Sequence, residues 1–246
     1  MTEGPYRYKS VARLSPFGNL SPDEVVWLKG IAGPMQEWER GQAIGGSAAK
    51  ASLHLLLEGW ASSAIILPDG TRQLIGINLP GDLLGLPGLS IAQPLDTLLA
   101  LSPVKVRGIP VAALSEMFSD HPRLAAMLFL VSQEERMRAM ERLALMGQVE
   151  ADVRLAALLV RLSERLGANA DAPCLDFEFP LRQVDLADLI GVSLTHLNGV
   201  LQNLRAAGLI RLTGRRLRIA DAARLRDFAN ISSWRAAEAD WLPEPA

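Results

Sequence analysis

LRQVDLADLIGVSLTHLNGVLQNLRAAGLIRLTGRRLRI, residues 181–219, divides into two amphipathic helices, a tight turn between them, and two short strands. In the first helix Val184, Leu186, Ala187, Leu189 and Ile190 form an apolar stripe, and Arg182, Asp185 and Asp188 are expected to face water. Ala187 is small where two helices would cross. Gly191 stands where the chain must leave the first helix, a place that favours positive φ. Ser193 then offers its hydroxyl as the N-cap of the second helix. In that helix Leu197, Val200, Leu201 and Leu204 supply the buried face, and Leu194, Thr195, His196, Asn198, Gly199 and Gln202 the opposite one. Thr213-Gly214-Arg215 reads as a hairpin turn. Two helices around a tight turn, followed by a hairpin, describe a winged helix-turn-helix, whose common chemistry is docking a helix into duplex DNA.

Charge points the same way. The whole chain carries a formal net charge of −2, yet residues 182–226 hold eight arginines against three aspartates, a net of +5. A basic module on an acidic body suits phosphate docking, because each neutralised phosphate releases counterions. The basic residues are all Arg, which favours forked contacts to phosphate or guanine over loose point charges. Arg182, Arg205, Arg215, Arg216 and Arg218 are the candidate backbone contacts. Ser193, Leu194, Thr195, His196, Asn198, Gly199 and Gln202 are the candidate base readers. The bland alternative is a small helical domain with a solvated arginine face.

With 246 residues, 49% of them apolar and 21% charged, the chain is long enough for one large globular domain or two ordinary ones. Apolar runs such as Ala125–Val131 are far too short to span a bilayer, and MTEGPYRYKSVARL at the N-terminus lacks the apolar core of a signal peptide. The expected location is the cytoplasm, with no membrane partner. The single cysteine, Cys174, can neither close an internal disulfide nor alone hold an iron–sulfur cluster, which usually takes about four thiolates.

Residues 1–40 read as helical and irregular, with Ser21-Pro22-Asp23-Glu24 a strong helix start. From Gly41 to about Pro110 short strands follow one another: Ser52–Glu58, Trp60–Leu67, Arg72–Leu79, Leu98–Ser102 and Val104–Ile109. Glu58-Gly59, Asp69-Gly70 and Pro80-Gly81-Asp82 punctuate them, as in a β-sandwich or barrel. A short helix over 111–118 precedes a long one from about 119 to 146. The first half of that helix, LAAMLFLV, is apolar all round and predicts cover on every side. Its second half is amphipathic and predicts a seam with a second copy; Met127, Leu130, Val131, Met137, Met140 and Ala144 are the candidate dimer residues. Packing against the chain's own barrel is the alternative. Ala151–Leu166 is a further amphipathic helix, and residues 167–173 read as a linker. The tail from Ile231 is polar apart from Trp234 and Trp241 and carries no message.

Barrel, long helix and winged module in this order resemble the Crp–Fnr superfamily of bacterial transcription regulators. The likeness is carried by LLLEGWASSAIILPDGTRQLIGINLPGDLLGL (55–86) and DLADLIGVSLTHLNGVLQNLRAAGLI (185–210). It implies an α+β fold: an N-terminal double-stranded β-helix (a jelly-roll-like β-roll), a long dimerisation helix and a C-terminal winged helix-turn-helix. The implied domains are 1–118, 119–147 and 148–246. Double-stranded DNA, a second copy of the chain and RNA polymerase are the implied partners.

Two departures from the family's pattern bear on function. The effector pocket of the family would fall at Gly81, Asp82, Gly85, Leu86 and Thr97. Members that bind cyclic AMP carry a Glu where Leu86 stands, and an Arg some ten residues later. Here no Arg or Lys lies between Leu86 and Ser102. An apolar pocket without a cation does not desolvate a phosphate cheaply, so cyclic-nucleotide control is not expected. Nor is haem, since His54 in a strand and His121 at a helix cap have ordinary structural readings. The resemblance with these departures implies no cofactor. The second departure is in the reading helix, where the family's Arg, Glu and Arg are replaced by Leu194, Thr195 and Gly199. The expected function is DNA-binding regulation; the alternatives are an interaction protein that keeps the fold without specific reading, and a receptor for a non-nucleotide ligand.

No reaction competes with this reading. Gly45-Gly46-Ser-Ala-Ala-Lys50 lacks the spacing and ending of a phosphate loop, and three scattered histidines with one cysteine give no metal-ligand spacing. No nucleophile elbow is present. An enzyme is not expected.

Overall fold

The computed structural model describes residues 13–45, 53–91, 96–166, 174–234 and 238–244. The linker at 167–173 and most of the glycine-rich 45–50 segment lie outside them. Contacts group the chain into two compact units, one of residues 1–66, 76–138 and 236–246, the other of 67–75 and 139–235.

The first unit opens with α1 (Pro22–Gly30), which starts at Ser21 as expected and is closed there by a capping box. The Ser21 hydroxyl accepts the Glu24 N–H at 3.2 Å, and Glu24 Oε2 accepts the Ser21 N–H at 2.7 Å. Glu24 is buried, and its carboxylate is compensated by Arg123, whose Nη1 donates to both oxygens at 3.0 and 2.8 Å. Seven strands follow, the start of β4 grouping with the second unit: β1 (Met35–Trp38), β2 (Leu53–Glu58), β3 (Ala61–Ile66), β4 (Arg72–Asn78), β5 (Leu83–Leu84), β6 (Asp96–Ala100) and β7 (Val104–Ile109). They form two sheets, β1-β7-β2-β5 and β4-β3-β6. Leu56, Leu84, Val104 and Val106 of the first sheet meet Ala61 and Ala100 of the second in one core, the expected roll. Gly59 makes the β2–β3 turn at φ +84, where a Cβ would stand 2.2 Å from the Pro103 carbonyl oxygen. Only glycine fits there. β1 corrects the helical and irregular reading of residues 1–40; its mostly exposed side chains show no alternation, and its place comes from pairing with β7.

After β7 come α2 (Ala112–Asp120) and the long α3 (Pro122–Gln148). Met117, Leu124, Ala125 and Met127 form a second core with Leu14, Phe17, Leu20, Trp27 and Leu28 around them. Leu242 also packs here, so the tail is not silent. The first half of α3 is not covered on every side, because Phe129 is exposed. Met127 and Val131 are corrected as dimer residues: both are buried in their own chain, and Leu130 is half-buried. Met137, Met140 and Ala144 are exposed, together with Leu143 at 74%.

The second unit is built on α4 (Ala151–Arg165), whose Leu155, Ala156, Leu159, Val160 and Leu162 are buried. Arg161 on its outer side binds Glu141 through two bonds of 2.8 and 2.5 Å and lies over the Trp234 ring, 4.8 Å from its centre. Then come β8 (Leu175–Glu178), α5 (Gln183–Ile190), α6 (Leu194–Ala206), β9 (Ile210–Thr213), β10 (Arg216–Ile219) and α7 (Ala222–Ala229). The wing has three strands, in the order β8-β10-β9, where the sequence predicts two. Among the described residues no single helix is long and apolar enough to cross a membrane.

Candidate nucleic-acid interface

The two helices α5 and α6 meet at a turn that the local residues dictate. Gly191 adopts φ 67 and ψ 48, and its N–H reaches the carbonyls of Ala187 and Asp188, ending α5 in the left-handed cap. Two residues later the Ser193 hydroxyl accepts the His196 N–H at 3.2 Å and starts α6. Ser193 is therefore engaged by its own helix. Leu197, Val200, Leu201 and Leu204 are buried as expected, which turns the other face outward. Leu194, Thr195, His196, Asn198, Gly199 and Gln202 are all exposed on it. No neighbouring atom lies within 4 Å of a Cβ built on Gly199. A shallow cleft beside this face is lined by Glu150 and Asp152 at the start of α4 and by His196, Gly199 and Asn203 of α6.

The arginines fall into two groups. Arg182, Arg205, Arg211, Arg215, Arg218 and Arg224 are exposed. Arg216 is exposed but holds Asp176 across the wing sheet, with Nε donating to Oδ1 at 2.8 Å. Such a surface pair is worth under about 1 kcal/mol and yields readily to a phosphate. Arg218 Nε donates to the Cys174 sulfur at 3.2 Å. Arg226 is only partly exposed and faces Glu164 at 3.6 Å.

The two aspartates of α5 depart from expectation. Polarity places Asp185 in water, whereas the structure leaves it 2% exposed and exposes Val184 instead. Asp185 Oδ2 accepts the Arg182 N–H at 2.9 Å, and Oδ1 meets the guanidinium of Arg72 at 3.0 Å. Arg72 also binds Asp188 at 2.7 Å. Burial works against the charge on Arg72, but the two carboxylates outweigh it and hold its pKa above the ordinary arginine value. Arg72 sits 113 residues before Asp185, and no local pattern announces it.

The effector-pocket candidates fare differently. Gly81 and Gly85 adopt positive φ of 99 and 90 in the turns around β5. Asp82 is buried and fully engaged: Oδ2 accepts the Leu79 N–H at 2.7 Å, and Oδ1 faces Arg13 Nε at 3.0 Å. Arg13 also meets Glu134 and Glu135 of α3, each at 2.9 Å. Burial opposes the Arg13 charge, and Asp82, Glu134 and Glu135 more than restore it. Leu86 and Thr97 are half-buried. Among the described residues no group of three or more His, Cys, Asp or Glu is placed to hold a metal ion.

Residues 153–228 match the family described as the Crp-like helix-turn-helix domain. Over 208 residues the chain is 26% identical to electron transport regulator A of Shewanella oneidensis, covering 84% of this chain and 82% of that protein. It is 29% identical over 182 residues to the nitrogen fixation regulation protein FixK of Bradyrhizobium diazoefficiens, covering 72% and 74%. Its fold is similar to the solved structure of FixK2 from Bradyrhizobium japonicum, with a TM-score of 0.70 and 23% identity over 82% of this chain and all of that one. The relatives are regulators and not enzymes. The helix-turn-helix, its outward α6 face and these likenesses converge: residues 153–228 are a Crp-like helix-turn-helix domain, and over most of its length the chain is similar to DNA-binding transcription regulators of the Crp–Fnr type.

Proposed function

We propose that the protein acts as a homodimer and reads an inverted-repeat DNA site with one α6 from each copy. The observation that carries this reading is α6, with six non-core residues facing outward beside an arginine-rich wing. Two such helices enter successive major grooves about 34 Å apart. Asn198 and Gln202 offer paired amide contacts to adenine, Thr195 and Leu194 meet thymine methyls, and His196 donates to guanine or phosphate. Arg182, Arg205, Arg215 and Arg218, with Arg216 once it releases Asp176, hold the backbone. Pairing uses the outer face of α3, where Met137, Met140, Leu143 and Met146 are exposed. The domains of action are the roll within 1–118, the helix 119–147 and the reading head within 148–246.

DNA binding on this reading needs no cyclic nucleotide and no bound cofactor. Leu86 offers no acceptor for a ribose hydroxyl, and both Asp82 oxygens are engaged within the chain. The protein works in the cytoplasm, where the DNA is, and a bound dimer near a promoter acts on RNA polymerase by contact or by exclusion. A gel-shift series with genomic fragments at two salt concentrations, with and without millimolar cyclic AMP, tests the reading. It predicts a sequence-selective complex that weakens with salt and ignores the nucleotide. Absence of a selective complex overturns the DNA reading; strong enhancement by cyclic AMP overturns the effector reading.

A further inference from the structure

The tip of the β3–β4 hairpin, residues 67–75, groups with the DNA-reading unit. From it Arg72 Nε donates to Asp188 Oδ2 at 3.0 Å, while Nη2 donates to Asp188 Oδ2 at 2.7 Å and to Asp185 Oδ1 at 3.0 Å. The neighbouring Gln73 donates its side-chain amide to the Asp188 carbonyl. Asp185 and Asp188 are three apart on α5 and so share a face, which the guanidinium fork spans. The Asp185 side chain is 3% exposed, so its charge depends on the partners it has. α5 has only eight residues, too few to hold its own geometry in water. Its last turn leads through residues 191–193 straight into α6.

We propose that Arg72 is a positioning residue of the DNA-reading head: by bridging Asp185 and Asp188 it fixes α5, and through the short turn the angle at which α6 meets DNA. It acts through α5 and touches no phosphate. Gln73 reinforces the bridge at the carbonyl end of the helix, where a donor is most favourable. The proposal rests on the reading of α6 as the DNA helix, and wild-type binding in the same assay tests that reading separately.

The test measures binding of the full chain to DNA that the wild type selects, over a series of salt concentrations. The variants are Arg72→Met, Arg72→Lys, Asp188→Asn and the Arg72→Met/Asp188→Asn pair, with circular dichroism as a folding check. Arg72→Met is expected to weaken binding about tenfold, or about 1.4 kcal/mol, at every salt concentration. The slope of log affinity against log salt stays at the wild-type value. Arg72→Lys keeps the charge without the fork and loses less, and the double variant loses less than the sum of its parts. Unchanged affinity in Arg72→Met overturns the proposal. So does a slope reduced by about 0.9, which marks a direct phosphate contact. If Arg72→Met does not fold, Arg72→Lys decides: a folded protein with weakened binding supports the proposal, and wild-type binding overturns it.

Discussion

Replacing Gly199 by Ala separates the stability of α6 from its use. Gly199 lies inside α6, is exposed, and has open space where a methyl would go. Nothing in the free protein opposes the substitution. The helix gains the difference between Gly and Ala propensity, about 0.5–1 kcal/mol. For a protein of this size that raises Tm by roughly 1–4 °C. On DNA the sign reverses. Gly199 is one turn from Thr195 and adjacent to Asn198 on the outward face, so an added methyl stands between the helix backbone and the groove. The expected result is a more stable protein that binds its selected DNA about tenfold more weakly, a cost of roughly 1.4 kcal/mol. Thermal denaturation and fluorescence anisotropy on the same preparation measure both. A variant that is more stable and binds as well as the wild type shows that Gly199 lies outside the interface, and the placement of α6 is then wrong.

Other perturbations probe the rest of the molecule. Arg123→Met strips the buried Glu24 carboxylate of its partner and should cost about 3–5 kcal/mol in urea unfolding, with most of it recovered when Glu24→Gln is added. Leu143→Glu, at a site 74% exposed, should leave the circular dichroism of the folded chain unchanged but convert a dimer to a monomer in sedimentation; a persistent dimer rejects α3 as the seam. Burial holds His54 below the ordinary imidazole pKa, so the unfolded chain takes up a proton before the folded one as pH falls. Its contribution to stability is complete above about pH 6.5 and declines on acidification below that. Unfolding followed from pH 7.5 to 5 should show this loss, and His54→Gln should flatten it; identical profiles refute the assignment.

What could be read in the sequence was what neighbouring residues decide together. Gly191, Ser193 and the spacing of Leu197, Val200, Leu201 and Leu204 define a turn and a face within fifteen residues, and the structure keeps all of them. The capping box at Ser21 and Glu24 is equally local. What escaped depends on distant partners. Asp185 looks solvated because it is charged, yet Arg72 makes its burial tolerable from 113 residues away. Asp82 looks like part of a ligand turn, whereas Arg13 engages it from the N-terminal segment. β1 has no alternation of its own, and Leu242 sits in an otherwise polar tail until the second core gives it a place. Met127 and Val131 show the reverse error, since an apolar run cannot say whether its cover comes from its own chain or from another.

The central claim, that the outward face of α6 reads base sequence, is tested most directly by sequencing the fragments that the purified protein selects from a random DNA pool, alongside Asn198→Ala. The wild type should enrich an inverted repeat with half-sites about one helical turn apart. Asn198→Ala should lose preference at one base pair in each half-site by about 1–3 kcal/mol, with the rest of the motif intact. No enriched motif, or the same motif from both proteins, contradicts the account.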